Sequence, residues 1–175
     1  LCACETVTGL GRDLERFGTF IGQKTESTVH KLSASKTSSC PPVSISAEQK
    51  TIRDYVDPTK PKEKERRASA EITGLQKTCH RNGDFVVVTI DLSFTGTLGP
   101  MGRLNSNDQP FFSHPYTVTV TNAAGDELAN EAFALSLTYD KGATEIIKTE
   151  TIEQRLPNTA DSPLPDYKIA IGFLE

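Results

Sequence analysis

The four cysteines are the residues of this chain whose type and spacing could most readily do chemistry. A single Ala separates Cys2 from Cys4, and a disulfide across so short a span would be strained, because it needs Cα atoms about 4.4–6.8 Å apart. A zinc site fits poorly as well, since zinc ligands usually have two or more residues between them and a second pair elsewhere. Neither a local disulfide nor a metal site therefore accounts for these two cysteines.

The same residues resemble the processing site of bacterial lipoproteins. Leu1 lies three places before Cys4, and the small Ala3 lies directly before it, as in the lipobox of that class. The resemblance implies that residues 1–3 are the remnant of a signal peptide and that Cys4 carries covalent lipid. It further implies a location in the bacterial cell envelope, and Glu5 in place of Asp after the lipidated position favours the outer membrane.

Cys40 and Cys79 then remain as one pair. In an exported protein such a pair is normally a disulfide, because the periplasm is oxidising. In the loop-closure description, a bridge across this span would stabilise the fold by about 4 kcal/mol. The alternative, a metal site built from Cys40, Cys79 and His80, lacks a convincing fourth ligand. We predict the disulfide, no metal, and no cofactor other than the lipid on Cys4.

The remaining polar residues do not form a recognisable catalytic set. His30, His80 and His114 have no zinc-type spacing. The sequence lacks a Gly-rich phosphate loop after a strand and a G-x-S-x-G nucleophile elbow. The net charge of −4 gives no electrostatic footprint for nucleic acid. We therefore predict a protein that is not an enzyme and does not bind nucleic acid.

The segment after Cys4 has the apolar spacing of an amphipathic helix. Its apolar residues recur at alternating intervals of three and four, which places them on one stripe: Val7, Leu10, Leu14, Phe17 and Ile21. Four glycines weaken this helix, so it should need a membrane or a partner surface. The stretch "CETVTGLGRDLERFG" also resembles the start of the entericidin family of small bacterial lipoproteins. Matching positions are Cys4, Thr6, Gly9, Gly11, Asp13 and Gly18.

That family resemblance covers roughly the first thirty residues, so it implies the membrane anchor and not the bacteriolytic role of the family for the whole chain. Residues 4–22 are predicted to be the lipidated Cys and its helix. Residues 23–39 are Ser-, Thr- and Lys-rich and read as a tether. Residues 40–175 are predicted to be one β domain.

The β domain is predicted from alternating apolar and polar residues. The pattern is clearest in "FVVVTIDLSFTGTL" from Phe85 and in "PDYKIAIGFLE" at the end of the chain. Asn82-Gly83 predicts a type I′ hairpin. About seven short strands favour an antiparallel β-sandwich of the immunoglobulin or fibronectin kind, with a partly closed barrel as the alternative. The fragments "CPPV", "TLGPMG" and "LPDYKIAIGF" also resemble uncharacterised proteobacterial lipoproteins.

A long loop over residues 96–115 is the strongest candidate for a binding surface, because such loops tend to be functional. Its apolar residues are Met101, Leu104, Phe111 and Phe112, which we predict to contact a partner. The alternative is that Phe111 and Phe112 begin the next strand and point into the core. The charge run "KPKEKERR" over residues 60–67 reads as a solvated connection or as a contact for anionic lipid.

Together these features predict a membrane-anchored bacterial lipoprotein that acts as a non-enzymatic accessory or scaffold component. Its partner would be another envelope protein or a second copy of itself. Two alternatives stay open: a membrane-active, entericidin-like component, and a β-sandwich that binds a glycan or small ligand.

Overall fold

A computed structural model describes residues 40–158 and 166–174. The predictions for Cys4, for the amphipathic helix over residues 4–22 and for the tether over residues 23–39 lie outside the described residues.

The described residues are mainly β, as the alternation predicts. The strands are β1 (Val43–Ile45), β2 (Thr51–Tyr55), β3 (Arg66–Asn82), β4 (Phe85–Leu98), β5 (Phe111–Thr121), β6 (Glu127–Thr138), β7 (Glu145–Pro157) and β8 (Lys168–Phe173). A short 3-10 helix, Glu63–Glu65, precedes β3.

The strands form two four-stranded sheets, in the orders β1-β8-β5-β6 and β2-β3-β4-β7. All neighbours are antiparallel except β1 and β8, which run parallel. Each sheet keeps two edge strands, so the sheets do not close into a barrel. The order also differs from that of an immunoglobulin constant domain, whose first two strands lie in one sheet; here β1 and β2 lie in different sheets.

The long hairpin of β3 and β4 forms as the sequence predicts, but with a different turn. Asn82 pairs with Phe85, so the two central residues are Gly83 and Asp84, one position later than expected. Gly83 has φ of 64°, and among the described residues no non-glycine has a positive φ. The turn therefore needs Gly only at its first central position, as in type II′, and avoids placing Asn82 in a left-handed conformation.

One hydrophobic core is shared by the two sheets. Phe94 of β4 packs against Tyr116 of β5 and Phe173 of β8, with ring centroids 5.3 and 6.1 Å apart. The predicted inward residues of the last strand, Tyr167, Ile169, Ile171 and Phe173, are all buried. The alternating apolar residues of β4 in one sheet and of β8 in the other therefore both contribute to this core.

The disulfide prediction is consistent with the structure: Cys40 and Cys79 lie at disulfide-bonding distance, with Cα atoms 5.8 Å apart. The segment "PPVSIS" lies near β3, where Lys77 donates to the carbonyl of Pro41 at 2.7 Å, but β1 does not pair with β3. β1 pairs with β8 instead, and Val43 lies opposite Ile169. The bridge therefore joins the start of one sheet to β3 of the other, and β2 occupies the edge next to β3.

Candidate partner-binding surface

The candidate surface is the loop over residues 99–110, which joins β4 to β5 across the two sheets. It is shorter than the sequence predicts, because β4 continues to Leu98 and β5 begins at Phe111. Residues 96–98 and 111–115 of the predicted loop are therefore strand. The change matters because it fixes both ends of the loop on paired strands.

The first half of the loop is held against the start of β3. The amide of Gly99 donates to the carbonyl of Arg67 at 2.8 Å, and the amide of Met101 donates to the carbonyl of Arg66 at 3.0 Å. A Cβ on Gly99 or on Gly102 would overlap the backbone oxygens of these two arginines. Glycine is required at both positions because the two backbones approach so closely.

The second half of the loop is held by Arg103. Its guanidinium donates to the backbone carbonyls of Asp108, Asp140 and Ala143, the last two at 2.9 and 2.6 Å. The Asp108 carboxylate in turn accepts hydrogen bonds from the amides of Leu104 and Asn105 at 3.1 and 2.9 Å. Side chains thus satisfy the loop backbone at several points, which restrains its conformation.

The restrained loop and the first residue of β5 expose three apolar side chains. Leu104 is 94% exposed, Phe111 59% and Met101 51%. All three line one cavity of about 450 Å³. We call Met101, Leu104 and Phe111 the loop patch. An apolar cluster of this kind on a fixed backbone is typical of an interaction surface.

Phe112 does not belong to the loop patch, and its assignment to the partner surface is corrected. It is only 5% exposed, because successive residues of a strand point to opposite faces and Phe111 takes the outward position. Its ring meets that of Tyr139 edge-on at 6.2 Å, and the Arg67 guanidinium lies 5.4 Å above its centroid. Phe112 forms the inner wall of the cavity.

The charge run over residues 60–67 lies beside the loop and is largely paired within itself. Lys62 lies 3.3 Å from Glu65, and Arg66 lies 3.3 Å from Glu63. Tyr55 also donates to Glu63 at 2.9 Å, which raises the pKa of that phenol. The run is therefore a solvated connection around the 3-10 helix, whereas Arg67 at its end lines the cavity.

A polar seam between β6 and β7 escaped the sequence analysis. Tyr116 donates to Glu150 at 2.6 Å, Glu150 pairs with Lys148 at 2.9 Å, and Lys148 donates to the carbonyl of Ser136 at 3.1 Å. Burial, and then the bond to Glu150, raise the pKa of Tyr116. The seam joins the edges of the two sheets and is explained by that structural role. In the sequence "TEIIKTETIEQRL", the feature that indicates this seam is the presence of two charged residues, Lys148 and Glu150, on the inward face of β7.

His80 and His114, the histidines in the part of the chain that the structure describes, do not converge on a site. His114 is 4% exposed, and burial lowers its pKa; its Nε2 has no hydrogen-bond partner among the described residues. His80 lies exposed near the end of β3. Within residues 40–158 and 166–174 no three His, Cys, Asp or Glu side chains are grouped so that they could hold a metal.

Comparison with known proteins adds no family: no family model, curated protein or solved structure matches the chain. In the part of the chain that the structure describes, no helix has the length and apolarity to cross a bilayer.

Proposed function

We propose that this chain is a lipid-anchored, non-enzymatic binding component of the bacterial envelope, with its β domain presenting the loop patch to another envelope protein. The anchor would be the acylated Cys4, and the outer membrane would be its location. The observation that carries the binding part of this proposal is the exposure of Met101 and Leu104 on a hydrogen-bonded loop, next to exposed Phe111 at the start of β5.

The energetics of the loop patch favour binding. Burying a side chain the size of Leu104 contributes about 1.5–3 kcal/mol when it leaves water. A loop already fixed by Arg103 and Asp108 loses little further entropy on association, so more of that free energy remains as affinity. A protein partner with an apolar surface would therefore gain from contact at this loop.

Within the β domain, the loop patch lies far from Cys40. Cys40, where the chain joins the β domain, lies by Cys79 near the far end of β3. Arg66, at the other end of β3, carries the loop. At about 3.3 Å per residue, Arg66 and Cys79 are about 40 Å apart along this strand.

We further infer that the two sheets pack face to face as a β-sandwich. The single core shared by β4, β5 and β8 supports this arrangement, as does the polar seam along one open side. Such a sandwich would serve as a rigid support for the loop at its end.

The anchoring part is tested by the intact mass of the native protein extracted from membranes. A chain that begins at Cys4, carries acyl groups and has lost two hydrogens to the disulfide would support the proposal. An unmodified Cys4 would refute the lipid anchor.

The binding part is tested by capture of envelope proteins with the full chain and two variants. Leu104→Ser removes the most exposed residue of the loop patch, whereas Ile147→Ser is the matched control, because Ile147 is 70% exposed on β7, outside the patch. Leu104→Ser should weaken binding by about 2 kcal/mol, or about 30-fold. Equal recovery of the same partner by both variants would refute the role of the loop.

A further inference from the structure

We infer that the cavity beneath the loop patch recognises a carboxylate beside an apolar side chain, so that the ligand is an acidic-apolar segment of a protein partner. The inference rests on the proposed binding function and names the chemistry that it recognises. Arg67 would bind the carboxylate, and Met101, Leu104 and Phe111 would contact the apolar neighbour.

Arg67 is the cation of this cavity whose side chain is least committed to the fold. Its guanidinium carbon lies 5.4 Å from the centroid of the Phe112 ring, and its side chain is half exposed. Among the described residues its ion pair is with Asp54, whose Oδ1 lies 3.8 Å from Nη1. That separation exceeds hydrogen-bond length, so the donors of Arg67 can still meet a carboxylate in a bidentate manner.

The other charges around the cavity are used by the loop itself. Arg103 donates to three backbone carbonyls, and Asp108 accepts from two backbone amides. Arg103 and Asp108 are therefore less free than Arg67 to bind a charged group of a ligand. A cation–π contact with Phe112 supports the Arg67 guanidinium, whose planar fork of donors matches a carboxylate.

The apolar residues that line the cavity determine which side chain can lie next to the carboxylate of the ligand. Leu104, Met101 and Phe111 surround the cavity of about 450 Å³, which is large enough for one or two side chains of a peptide. An anionic lipid surface is less well matched, because Glu63 and Glu65 interrupt the neighbouring basic run and pair with Arg66 and Lys62. We therefore infer that the ligand is a peptide segment of a protein.

The test is a nuclear magnetic resonance titration of the full, isotope-labelled chain with two neutral-ended dipeptides, N-acetyl-leucyl-glutamate amide and its glutamine analogue. The glutamate peptide should shift the resonances of residues that line the cavity. The glutamine peptide should bind about three- to tenfold more weakly, since the contact with Arg67 is half exposed. Arg67→Gln should remove this difference, and Arg67→Lys should retain part of it.

The matched control is Arg155→Gln. Arg155 also lies over an aromatic ring, that of Phe85, at 5.5 Å, but near the opposite end of the strands. Its replacement should leave the preference for the glutamate peptide unchanged. Equal binding of both peptides, or loss of the preference in Arg155→Gln as much as in Arg67→Gln, would overturn the inference.

Two further arms separate this inference from the proposed function. If Arg67→Gln still captures the partner that Leu104→Ser loses, the carboxylate site is refuted while the binding function stands. If the unlipidated full chain sediments with phosphatidylglycerol vesicles in an Arg67-dependent manner, a lipid surface replaces the peptide and the inference is overturned.

Discussion

Replacing Arg103 by Ala would remove the side chain that ties the loop over residues 99–110 to the turn after β6. In the folded protein its guanidinium donates to the carbonyls of Asp108, Asp140 and Ala143. Hydrogen bonds from a charged donor contribute about 1.5–3 kcal/mol each at full strength. Because these carbonyls are partly accessible, water would replace some of the lost bonds.

We therefore expect Arg103→Ala to lower the free energy of unfolding by about 2–3 kcal/mol, well below the sum of three separate bonds. For a domain of this size that corresponds to a fall in Tm of about 5–10 °C. Urea unfolding followed by circular dichroism gives the free energy. Hydrogen exchange at the amides of Leu104 and Asn105, which donate to Asp108, reports the loop itself.

The control is Arg81→Ala, which removes an exposed arginine near the end of β3. The free energy of unfolding of this variant should lie within about 0.5 kcal/mol of that of the unchanged protein, as is usual for surface substitutions. If Arg103→Ala behaves like Arg81→Ala and the two loop amides exchange no faster, then Arg103 does not restrain the loop. The reasoning that makes the loop patch a preformed surface would then fail.

Three other outcomes follow from the fold. Replacing Cys40 and Cys79 by Ser should lower the free energy of unfolding, measured by urea denaturation, by about 4 kcal/mol, because the unfolded chain loses the loop-closure constraint. A change below about 1 kcal/mol would show that the bridge does not constrain the unfolded chain. Because burial lowers the pKa of His114, the unfolded chain binds that proton more readily, so stability should fall as pH drops below the ordinary value of 6.5. His114→Phe should show a smaller fall from pH 7 to pH 5, and an identical pH dependence would contradict this origin. Gly96→Ala should destabilise by about 1–3 kcal/mol, because the added Cβ would lie 2.5 Å from both Leu137 Cδ1 and the Tyr139 hydroxyl; an unchanged urea midpoint would exclude that clash.

The core was predictable from the sequence where one strand face is uniformly apolar. β4 after Val87 and most of β8 alternate with a period of two, and burial of Phe94 and Phe173 follows from that period. β2 was missed because its five residues, Thr51–Tyr55, carry a mixed pattern typical of a short edge strand. The pairing of β1 with β8 was missed because parallel neighbours distant in sequence leave no local signal.

For the candidate site, the sequence identified the loop and its apolar residues but not their orientation. Alternation predicts that one of Phe111 and Phe112 points inward, and only the register of β5 against β6 decides that it is Phe112. Arg103 was not recognised, because two of its carbonyl acceptors lie 37 and 40 residues further along the chain. Arg67 was read only as part of a charge run, since its place over Phe112 depends on the fold.

Site-specific photo-cross-linking in native envelopes tests most directly whether the loop patch meets a protein. A photoreactive phenylalanine at position 104 is compared with the same residue at position 147; Leu104 and Ile147 are both well exposed, but only Leu104 belongs to the patch. We expect a light-dependent adduct with one envelope protein from position 104 and none from position 147. Absence of an adduct at position 104, or equal adducts from both positions, would contradict this expectation.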